Sequence, residues 1–210
     1  MGSAFTEFEL DVLQEIMNMA FGSAAADLGD VVDVFVQLNA PKTEIIPVGD
    51  LAAFVSRQVG TQRRVSVVEQ EFHGGSDGLA LLVFTGDAER QLISLFQDDP
   101  LFPTDAGEML ELEREVLMEV GNILIGACVG RLFELLKRPI SYLPPHATGE
   151  DAISGLVDRR MFSSEDFAIS MQARFSFEDR EVSGFLFLIN RQESEQELRS
   201  ALQDFWSEYQ

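Results

Sequence analysis

The chain has 210 residues, 46% of them hydrophobic, and a chain of this length buries about 70% of the surface that it exposes when unfolded, so we expect one compact domain over 1–210. The formal net charge of -21 would repel phosphate backbones, which excludes nucleic acid as an expected partner. One cysteine and two separate histidines argue against a zinc site, and a single cysteine cannot form an internal disulfide, which suits a reducing cytoplasm. The longest largely apolar stretch, 120–129, is too short to cross a bilayer, so we expect no membrane contact.

Periodicity and turn residues divide the first half of the chain into helices at its ends and strands between them. A helical pattern covers 6–28 and ends before Gly29, because a glycine commonly follows the last turn of a helix. The remaining elements are a strand marked by Val32, Val34, Val36 and Leu38, a turn at 39–41, an extended stretch over 43–48, a short helix over 51–57, strands over 62–73 and 78–85, and a helix over 87–96.

The second half follows the same order, starting with a helix over 107–137 that ends at Arg138-Pro139. Alternating apolar and polar residues predict a half-buried antiparallel strand over 167–177, whereas the continuously apolar segment 185–189 predicts a central strand. The other elements are a short strand over 140–143, a short helix over 149–156 and a terminal helix over 193–206.

The two halves agree in the order and spacing of their elements. Such agreement is typical of an old internal duplication. We therefore predict an α+β fold made of two pseudo-symmetric repeats, about 5–100 and 105–208. The repeats would share a largely antiparallel sheet and pack two long motif helices together on one of its faces.

One spacing of residues occurs at the start of each half. The first copy is Asp11-x3-Glu15-x2-Asn18-x22-Pro41, and the second is Glu115-x3-Glu119-x2-Asn122-x22-Pro145. Positions i, i+4 and i+7 of an α-helix lie within one narrow stripe, since each residue turns about 100° around the axis. The acidic and amide side chains of each copy should therefore point the same way, which indicates two copies of one site.

A glycine, Gly22 or Gly126, extends each stripe, and its bare backbone would let another surface approach closely. The opposite side of each helix is apolar, so the pattern predicts that both helices bury that side and expose the stripe. The apolar positions are Val12, Leu13, Ile16 and Ala20 in the first helix and Val116, Leu117, Val120 and Leu124 in the second.

The repeated arrangement resembles the Asp/Ser-x3-Glu-x2-Asn-x22-Pro signature of the CheC/CheX/FliY family of response-regulator phosphatases. The chain is similar over essentially its full length to a two-site CheC protein. Met17 stands where the family usually has a glycine before the first Asn, and Glu115 replaces the usual Asp or Ser of the second copy. The resemblance implies a phosphatase that acts on the phosphoryl-aspartate of a CheY-like receiver domain in two-component signalling such as chemotaxis.

The resemblance also implies a role for each residue of the motif. Asn18 and Asn122 would position the attacking water. Glu15 and Glu119 would dock on the active-site lysine of the regulator, which would also bring its own Mg2+, and we expect no metal or cofactor bound by this chain. Asp11 and Glu115 are supporting residues, with helix solubility or a local hydrogen bond as the alternative role. Pro41 and Pro145 are expected to fix the turn beside each helix.

Other functions remain open on the sequence alone. The middle domain of the flagellar switch protein FliM has a similar architecture and serves as a binding and assembly module, so this chain could be a non-enzymatic module of that kind, although the retained Glu/Asn pairs count against it. An adaptor for a CheD-type receptor deamidase is a second alternative. A metal-dependent hydrolase is a more distant one, because the sequence has no carboxylate cluster beyond the motif. The sequence identifies neither the regulator nor the pathway.

Overall fold

The fold is built on one antiparallel sheet with helices against both of its faces. The computed structural model describes residues 5–32, 36–39, 42–59, 65–74, 77–85, 91, 106–148, 153, 155, 162–177 and 180–208. The helices and strands, in chain order, are α1 (Glu7–Val32), β1 (Val36–Asn39), β2 (Thr43–Pro47), α2 (Val48–Val59), β3 (Val65–Gly74), β4 (Gly78–Thr85), α3 (Ala106–Leu135), β5 (Ile140–Tyr142), β6 (His146–Thr148), β7 (Phe167–Phe177), β8 (Arg180–Asn190) and α4 (Glu195–Glu208), with a 3-10 turn at Gln192–Ser194.

The strands lie in the order β1-β7-β8-β4-β3-β5, and the short strands β2 and β6 pair with β7 and β3. Every pair is antiparallel, which confirms the predicted α+β fold with an antiparallel sheet. At the centre, β4 and β8 run in register from Gly78 opposite Asn190 to Phe84 opposite Gly184. Each half of the sheet has two short strands at its edge and a long hairpin beside them. The short strands β1 and β2 lie beside the hairpin β7–β8, and β5 and β6 lie beside the hairpin β3–β4. The two hairpins meet at the central strands β4 and β8. An internal duplication would produce this order, and the duplication itself stays a prediction.

The first core lies between one face of the sheet and the helices α1, α3 and α4. Alternate strand residues, among them Val68 and Phe72 of β3, point into it, and α1 and α3 pack against each other over them. The rings of Phe72 and Phe133 on α3 have centroids 5.5 Å apart. Because both motif helices turn their apolar sides inward here, their polar stripes face away from the sheet.

The second core covers the opposite face of the sheet. The intervening strand residues, such as Leu81 and Phe187, point into it, and α2 covers it with Leu51 and Val55. The sheet is therefore buried on both sides at its centre. This double burial explains why the central strands β4 and β8 are apolar at successive positions.

Strand β7 differs from the prediction that it is half-buried. All its residues over 167–171 are buried, including Ala168, which belongs to the second core together with Ile46 and Val48. The prediction is wrong for this segment because α2 covers its second face, and β2, which pairs beside β7, adds Ile46 to the same core. Those elements lie far away in the sequence, so the local alternation of β7 cannot reveal them.

Helix α1 continues to Val32, whereas the sequence pattern predicted that it ends before Gly29. A glycine within a helix costs only about 1 kcal/mol relative to alanine. Leu28 is fully buried in the first core, and its packing supports the last turns of the helix. Val32 is therefore helical, and the following strand begins at Val36.

The remaining predicted elements are present with ends shifted by a few residues. Helix α3 ends at Leu135, and α4 begins after the 3-10 turn. The predicted helices over 87–96 and 149–156 lie almost entirely outside the described residues, as does most of the turn predicted at 39–41.

Glu9 holds the beginning of α1 in place. The backbone N–H of Thr6 donates to Glu9 Oε2 at 2.8 Å, and the N–H of Glu9 donates to Thr6 Oγ1 at 3.2 Å, which is a capping box. Nε of Arg199 on α4 donates to Glu9 Oε1 at 2.9 Å. Burial raises the pKa of the Glu9 carboxyl, but the hydrogen bonds from Thr6 and Arg199 outweigh burial and hold that pKa below its ordinary value. The first motif helix is thereby tied to the terminal helix.

Part of α3, Arg114–Leu135, is long and apolar enough to cross a membrane by length and composition alone. Within the protein, 56% of its apolar window is buried. This is weak evidence for a membrane span, because the core helix of a soluble protein passes the same test.

Candidate functional site

Helix α1 exposes its predicted stripe. The side chains of Asp11, Glu15 and Asn18 are all exposed, and a Cβ built on Gly22 would meet no atom within 4 Å. The predicted apolar positions on the other side, Val12, Leu13, Ile16 and Ala20, are all buried. The amphipathic pattern is confirmed for this helix, and Asn18 lies where a folded partner could reach it.

Helix α3 presents the second stripe in the same way. Glu115, Glu119 and Asn122 are exposed, and a Cβ built on Gly126 would also meet no atom within 4 Å. The apolar positions Val116, Leu117, Val120 and Leu124 are buried. Because α1 and α3 pack side by side on one face of the sheet, both stripes belong to the same helical layer.

The carboxylates of the two stripes form no ion pair within the part of the chain that the structure describes. Among the residues that the structure describes, Glu15 and Glu119 form no hydrogen bond or ion pair, and the same is true of Asp11 and Glu115. Unpaired carboxylates on a surface attract a cationic group on an approaching molecule. The local hydrogen bond considered for Asp11 and Glu115 is thus not formed with any of the described residues.

The amide of Asn18 is held by a glutamine on the same helix. Nε2 of Gln14 donates to Asn18 Oδ1 at 3.1 Å. Oε1 of Gln14 in turn accepts a hydrogen bond from the backbone N–H of Thr43 at 2.6 Å. Gln14 therefore connects Asn18 to the first residue of β2. Pro41, which the motif places just before that strand, lies outside the described residues.

The amide of Asn122 is held by a glutamine from the sheet. Nε2 of Gln70 on β3 donates to Asn122 Oδ1 at 3.0 Å and also to the backbone carbonyl of Leu143 at 3.0 Å. Gln70 is only 3% exposed. It connects Asn122 to the segment between β5 and β6, in which Pro145 is half-buried.

Helix α3 is fixed to the β5–β6 segment at two further points. Arg114 Nη2 donates to the backbone carbonyl of Ala147 at 3.4 Å, before Asn122 along the helix. The hydroxyl of Tyr142 donates to the carbonyl of Gly126 at 3.3 Å, one turn after it. These contacts hold the Pro145 segment beside the second stripe, where the sequence placed it.

The residue before each Asn packs differently in the two helices. A Cβ built on Gly121 would come 2.7 Å from Cγ1 of Val68, so the backbone of α3 lies directly on β3. In α1 the corresponding residue is Met17, whose side chain is fully buried in the first core. The two sites are therefore similar in their exposed residues and different in their support.

Neither Gln14 nor Gln70 belongs to the repeated motif. Gln14 appears on an amphipathic helix as an ordinary polar residue. Gln70 does carry a signal, because it stands between Val68 and Phe72 at alternate positions of β3 and so occupies a place where that face of the strand is apolar. A polar residue at a core position calls for a hydrogen-bonding partner.

Other reactive groups do not contribute to this surface. Within the described ranges, no group of three or more His, Cys, Asp and Glu residues could hold a metal ion. Cys128 is buried in α3, and burial raises the pKa of its thiol far above its ordinary value. Burial, with a contribution from nearby Cys128, also raises the pKa of Tyr142 to about 12. Both side chains are thus neutral at physiological pH.

Known proteins share this architecture over nearly the whole chain. No protein-family model matches the sequence. The chain matches FliY of Thermotoga maritima with a TM-score of 0.69 and 19% identity, covering 99% of this chain and 100% of FliY. It is also 26% identical over 195 residues to CheC1 of Halobacterium salinarum, which is provisionally named a CheY-P phosphatase; the match covers 86% of this chain and 94% of CheC1. The chain is thus similar in sequence to a CheC protein and in fold to FliY.

The fold of this CheC-like chain also occurs in the middle domain of FliM. The middle domain of FliM from Vibrio alginolyticus matches it with a TM-score of 0.59 and 12% identity, covering 85% of this chain and 93% of the FliM domain. At that identity the likeness shows the fold alone. Proteins with this fold include both FliY and FliM. The function of the present chain therefore has to be argued from the exposed residues of α1 and α3.

Proposed function

We propose that this CheC-like chain is a phosphatase that hydrolyses the phosphoryl-aspartate of a CheY-like receiver domain. The observation that carries the proposal is the pair of exposed stripes, each with an amide and, one turn before it, a carboxylate that pairs with none of the described residues. The substrate is a folded protein, so it requires an open surface of this kind and could not enter a deep pocket. The cytoplasm, where receiver domains are phosphorylated, is the compartment in which the chain would act.

The chemical step requires little covalent chemistry from the phosphatase. The oxygen of a water molecule forms a bond to phosphorus, the bond between phosphorus and the aspartyl oxygen breaks, and the carboxylate leaves while the water protons remain with the phosphate product or solvent. The receiver domain supplies Mg2+, which offsets charge on the phosphoryl oxygens. A helper protein can add the position of the water in line with the leaving carboxylate. No covalent intermediate on this chain is needed.

Asn18 and Asn122 are suited to positioning that water. A carboxamide both donates and accepts hydrogen bonds, and it places no negative charge beside the phosphoryl group. Glu15 or Glu119 in that position would repel the phosphoryl oxygens. We therefore assign the positioning of the attacking water to the side-chain amides of Asn18 and Asn122.

Glu15 and Glu119 are suited to docking. Each lies one turn from its Asn, and neither has a cationic partner among the described residues. A carboxylate at the rim of the site can pair with the active-site lysine of the receiver domain and so orient the partner. Asp11 and Glu115 extend the same negative stripe away from the amide.

The main competing function is a non-enzymatic binding module. The fold likeness to the FliM middle domain leaves this function open, because it shows the fold alone. Such a module would bind a partner without turning it over and has no need of an amide and a carboxylate at both stripes. A further role as adaptor for a CheD-type deamidase stays a prediction from the family resemblance.

Turnover separates the phosphatase from the binding module. The chain is added in substoichiometric amount to a phosphorylated CheY-like receiver domain with Mg2+, and the release of inorganic phosphate is followed. The proposal predicts many phosphates released per chain, at a rate well above spontaneous hydrolysis. Binding of the receiver domain without added phosphate release would support the binding module.

The double substitution Asn18→Ala with Asn122→Ala tests the mechanism. Both side chains are exposed, so the variant should fold, and circular dichroism and thermal unfolding check this. We expect the added turnover to disappear while binding of the receiver domain persists. A folded double variant that keeps its rate would overturn the role of the two amides.

A further inference from the structure

Both candidate amides receive the same kind of hydrogen bond from a glutamine. At the first site, Gln14 Nε2 donates to Asn18 Oδ1 at 3.1 Å; at the second, Gln70 Nε2 donates to Asn122 Oδ1 at 3.0 Å. The glutamines come from different elements, one from α1 and the other from β3. The shared feature is therefore the direction of the bond and not the position of the donor.

Backbone groups determine this direction. The N–H of Thr43 can only donate, so the atom of Gln14 that faces it at 2.6 Å is the oxygen, and the amino group of Gln14 is left for Asn18. The carbonyl of Leu143 can only accept, so the atom of Gln70 that faces it at 3.0 Å is the amino nitrogen, which also reaches Asn122. The backbone N–H of Thr43 at the first site and the backbone carbonyl of Leu143 at the second thus orient the two glutamines alike, each with its amino group toward its Asn. Each Asn must turn its oxygen toward its glutamine.

We propose that Gln14 and Gln70 are positioning residues that fix which end of the Asn18 and Asn122 amides faces the partner. This inference rests on the proposed phosphatase function. With Oδ1 turned toward the glutamine, each Asn presents its two Nδ2–H donors and one remaining lone pair of Oδ1. The donors suit the anionic phosphoryl oxygens, and the lone pair suits a proton of the attacking water. An amide free to rotate by 180° would spend part of its time with these groups exchanged.

The state of Gln70 supports a role beyond packing. It is 3% exposed, and its Oε1 has no hydrogen-bond partner among the residues that the structure describes. A buried polar oxygen without a partner is unfavourable, and an apolar side chain of the same length would avoid this cost. Both hydrogens of its amino group, by contrast, are used, on Asn122 and on Leu143. Gln70 thus holds the Asn122 amide with its amino group, while its own oxygen accepts no hydrogen bond from the described residues.

The two sites differ in how firmly the amide is held. Gln70 is buried within the sheet, where packing restricts its side chain, whereas Gln14 is half-exposed and lies on the same helix as Asn18. A restricted donor loses less conformational entropy when it forms the hydrogen bond. Site two should therefore hold its amide in one orientation for a larger fraction of the time.

The substitution Gln70→Met tests the inference, because methionine keeps the length and volume of the side chain and removes the amino group. It is made in a chain with Asn18→Ala, which leaves only site two, and in a chain with Asn122→Ala, which leaves only site one. We expect kcat to fall about tenfold in the first background with KM changed less than twofold, since the docking carboxylates are untouched. In the second background Gln70→Met should produce no further fall. Equal losses in both backgrounds, or an unchanged kcat in the first, would overturn the positioning role.

Gln14→Met gives the reciprocal experiment, with the loss expected only where site one remains. Gln70→Glu is a second variant that keeps the shape of the side chain, and its carboxylate can only accept when ionised. Burial beside the Leu143 carbonyl favours the protonated carboxyl, which can still donate, so kcat of Gln70→Glu should fall relative to wild type as the pH rises and the carboxyl ionises. A folded Gln70→Glu chain whose kcat equals that of wild type at every pH tested would contradict the requirement for a donor.

A spectroscopic measurement separates this inference from the proposed function. The side-chain amide resonances of Gln70, identified in 15N spectra by their loss in Gln70→Met, should exchange slowly with water and should shift in Asn122→Ala but not in Asn18→Ala. This experiment needs no substrate. If the wild-type chain gives no turnover, the phosphatase function fails, and with it the catalytic meaning of the glutamines. If turnover is found but is indifferent to both glutamines, only the positioning role fails.

Discussion

Val68 on β3 and Gly121 on α3 touch without any side chain between them, since a Cβ on Gly121 would lie 2.7 Å from Cγ1 of Val68. Real Cβ atoms do not approach that closely, so a methyl group there must displace α3 or Val68. We expect Gly121→Ala to lower the free energy of unfolding by about 1–3 kcal/mol, although alanine favours a helix over glycine by about 1 kcal/mol. Denaturant unfolding measures the change.

Gly126→Ala is the matched control on the same helix. A Cβ there meets no atom within 4 Å, so this substitution should raise the stability by about 0.5–1 kcal/mol. Adding Val68→Ala to Gly121→Ala should restore part of the lost stability. If Gly121→Ala is as stable as Gly126→Ala, the close contact between α3 and the sheet is wrong.

The two amides should contribute unequally to turnover. Each of Asn18→Ala and Asn122→Ala should lower kcat at its own site by about 100-fold, the usual effect of misplacing a reacting group. Asn122→Ala should remove the larger part of the total rate, because buried Gln70 holds Asn122 more firmly than half-exposed Gln14 holds Asn18. Steady-state rates of the two single variants on one receiver domain decide this. A larger loss for Asn18→Ala would reverse the order of the sites.

The glutamates should affect binding more than chemistry. An exposed ion pair is worth about 0.2–1 kcal/mol, so Glu119→Gln, in a chain whose first site is removed by Asn18→Ala, should raise KM roughly 1.5- to 5-fold and leave kcat nearly unchanged. The increase should shrink at high salt, where surface charges are screened. Glu193→Gln, an exposed carboxylate outside the motif helices, is the control. A fall in kcat with constant KM would instead place Glu119 in the chemical step.

Glu9 should make stability depend on pH in the acid range. Its pKa in the folded chain lies below the 4.5 of an unperturbed glutamate, so its contribution is fully present above that value and is lost as the pH falls through the folded pKa. Glu9→Gln should lower the free energy of unfolding by about 1–3 kcal/mol at pH 7, the usual worth of hydrogen bonds to a charged group. The difference from wild type should shrink below pH 4.5.

Unfolding curves between pH 3 and 7 measure this dependence. Glu195→Gln, which weakens only the longer contact of 3.9 Å to Arg199, should show a smaller change at neutral pH. A stability difference between wild type and Glu9→Gln that grows as the pH falls would contradict the assigned direction of the pKa.

The sequence predicts the parts of the fold that depend on local periodicity. The stripes of Asn18 and Asn122 follow from the turn of the α-helix, and their exposure is confirmed. The end of α1 could not be predicted from Gly29, because the burial of Leu28 by distant elements overrides the local signal. Burial of β7 on its second face likewise depends on α2 and on Ile46 of β2, which are remote in sequence.

The support of the candidate site was also beyond the reach of the sequence. Gln70 and Asn122 are 52 positions apart and lie on different elements, so no spacing rule joins them. The polar residue between Val68 and Phe72 signals only that some partner is required. Which atom it contacts depends on how closely α3 approaches β3, and that distance is set by Gly121.

Cys128 is the chain's single cysteine and is buried inside α3. The surface of the molecule therefore presents no thiol, and a maleimide reagent should leave the folded chain unmodified. A cysteine introduced in place of Gly22 or Gly126 would be the sole reactive sulfur, next to one chosen amide and facing open space. A dye attached there could report the arrival of a partner at each stripe separately, without deleting the native cysteine and leaving a cavity in the core.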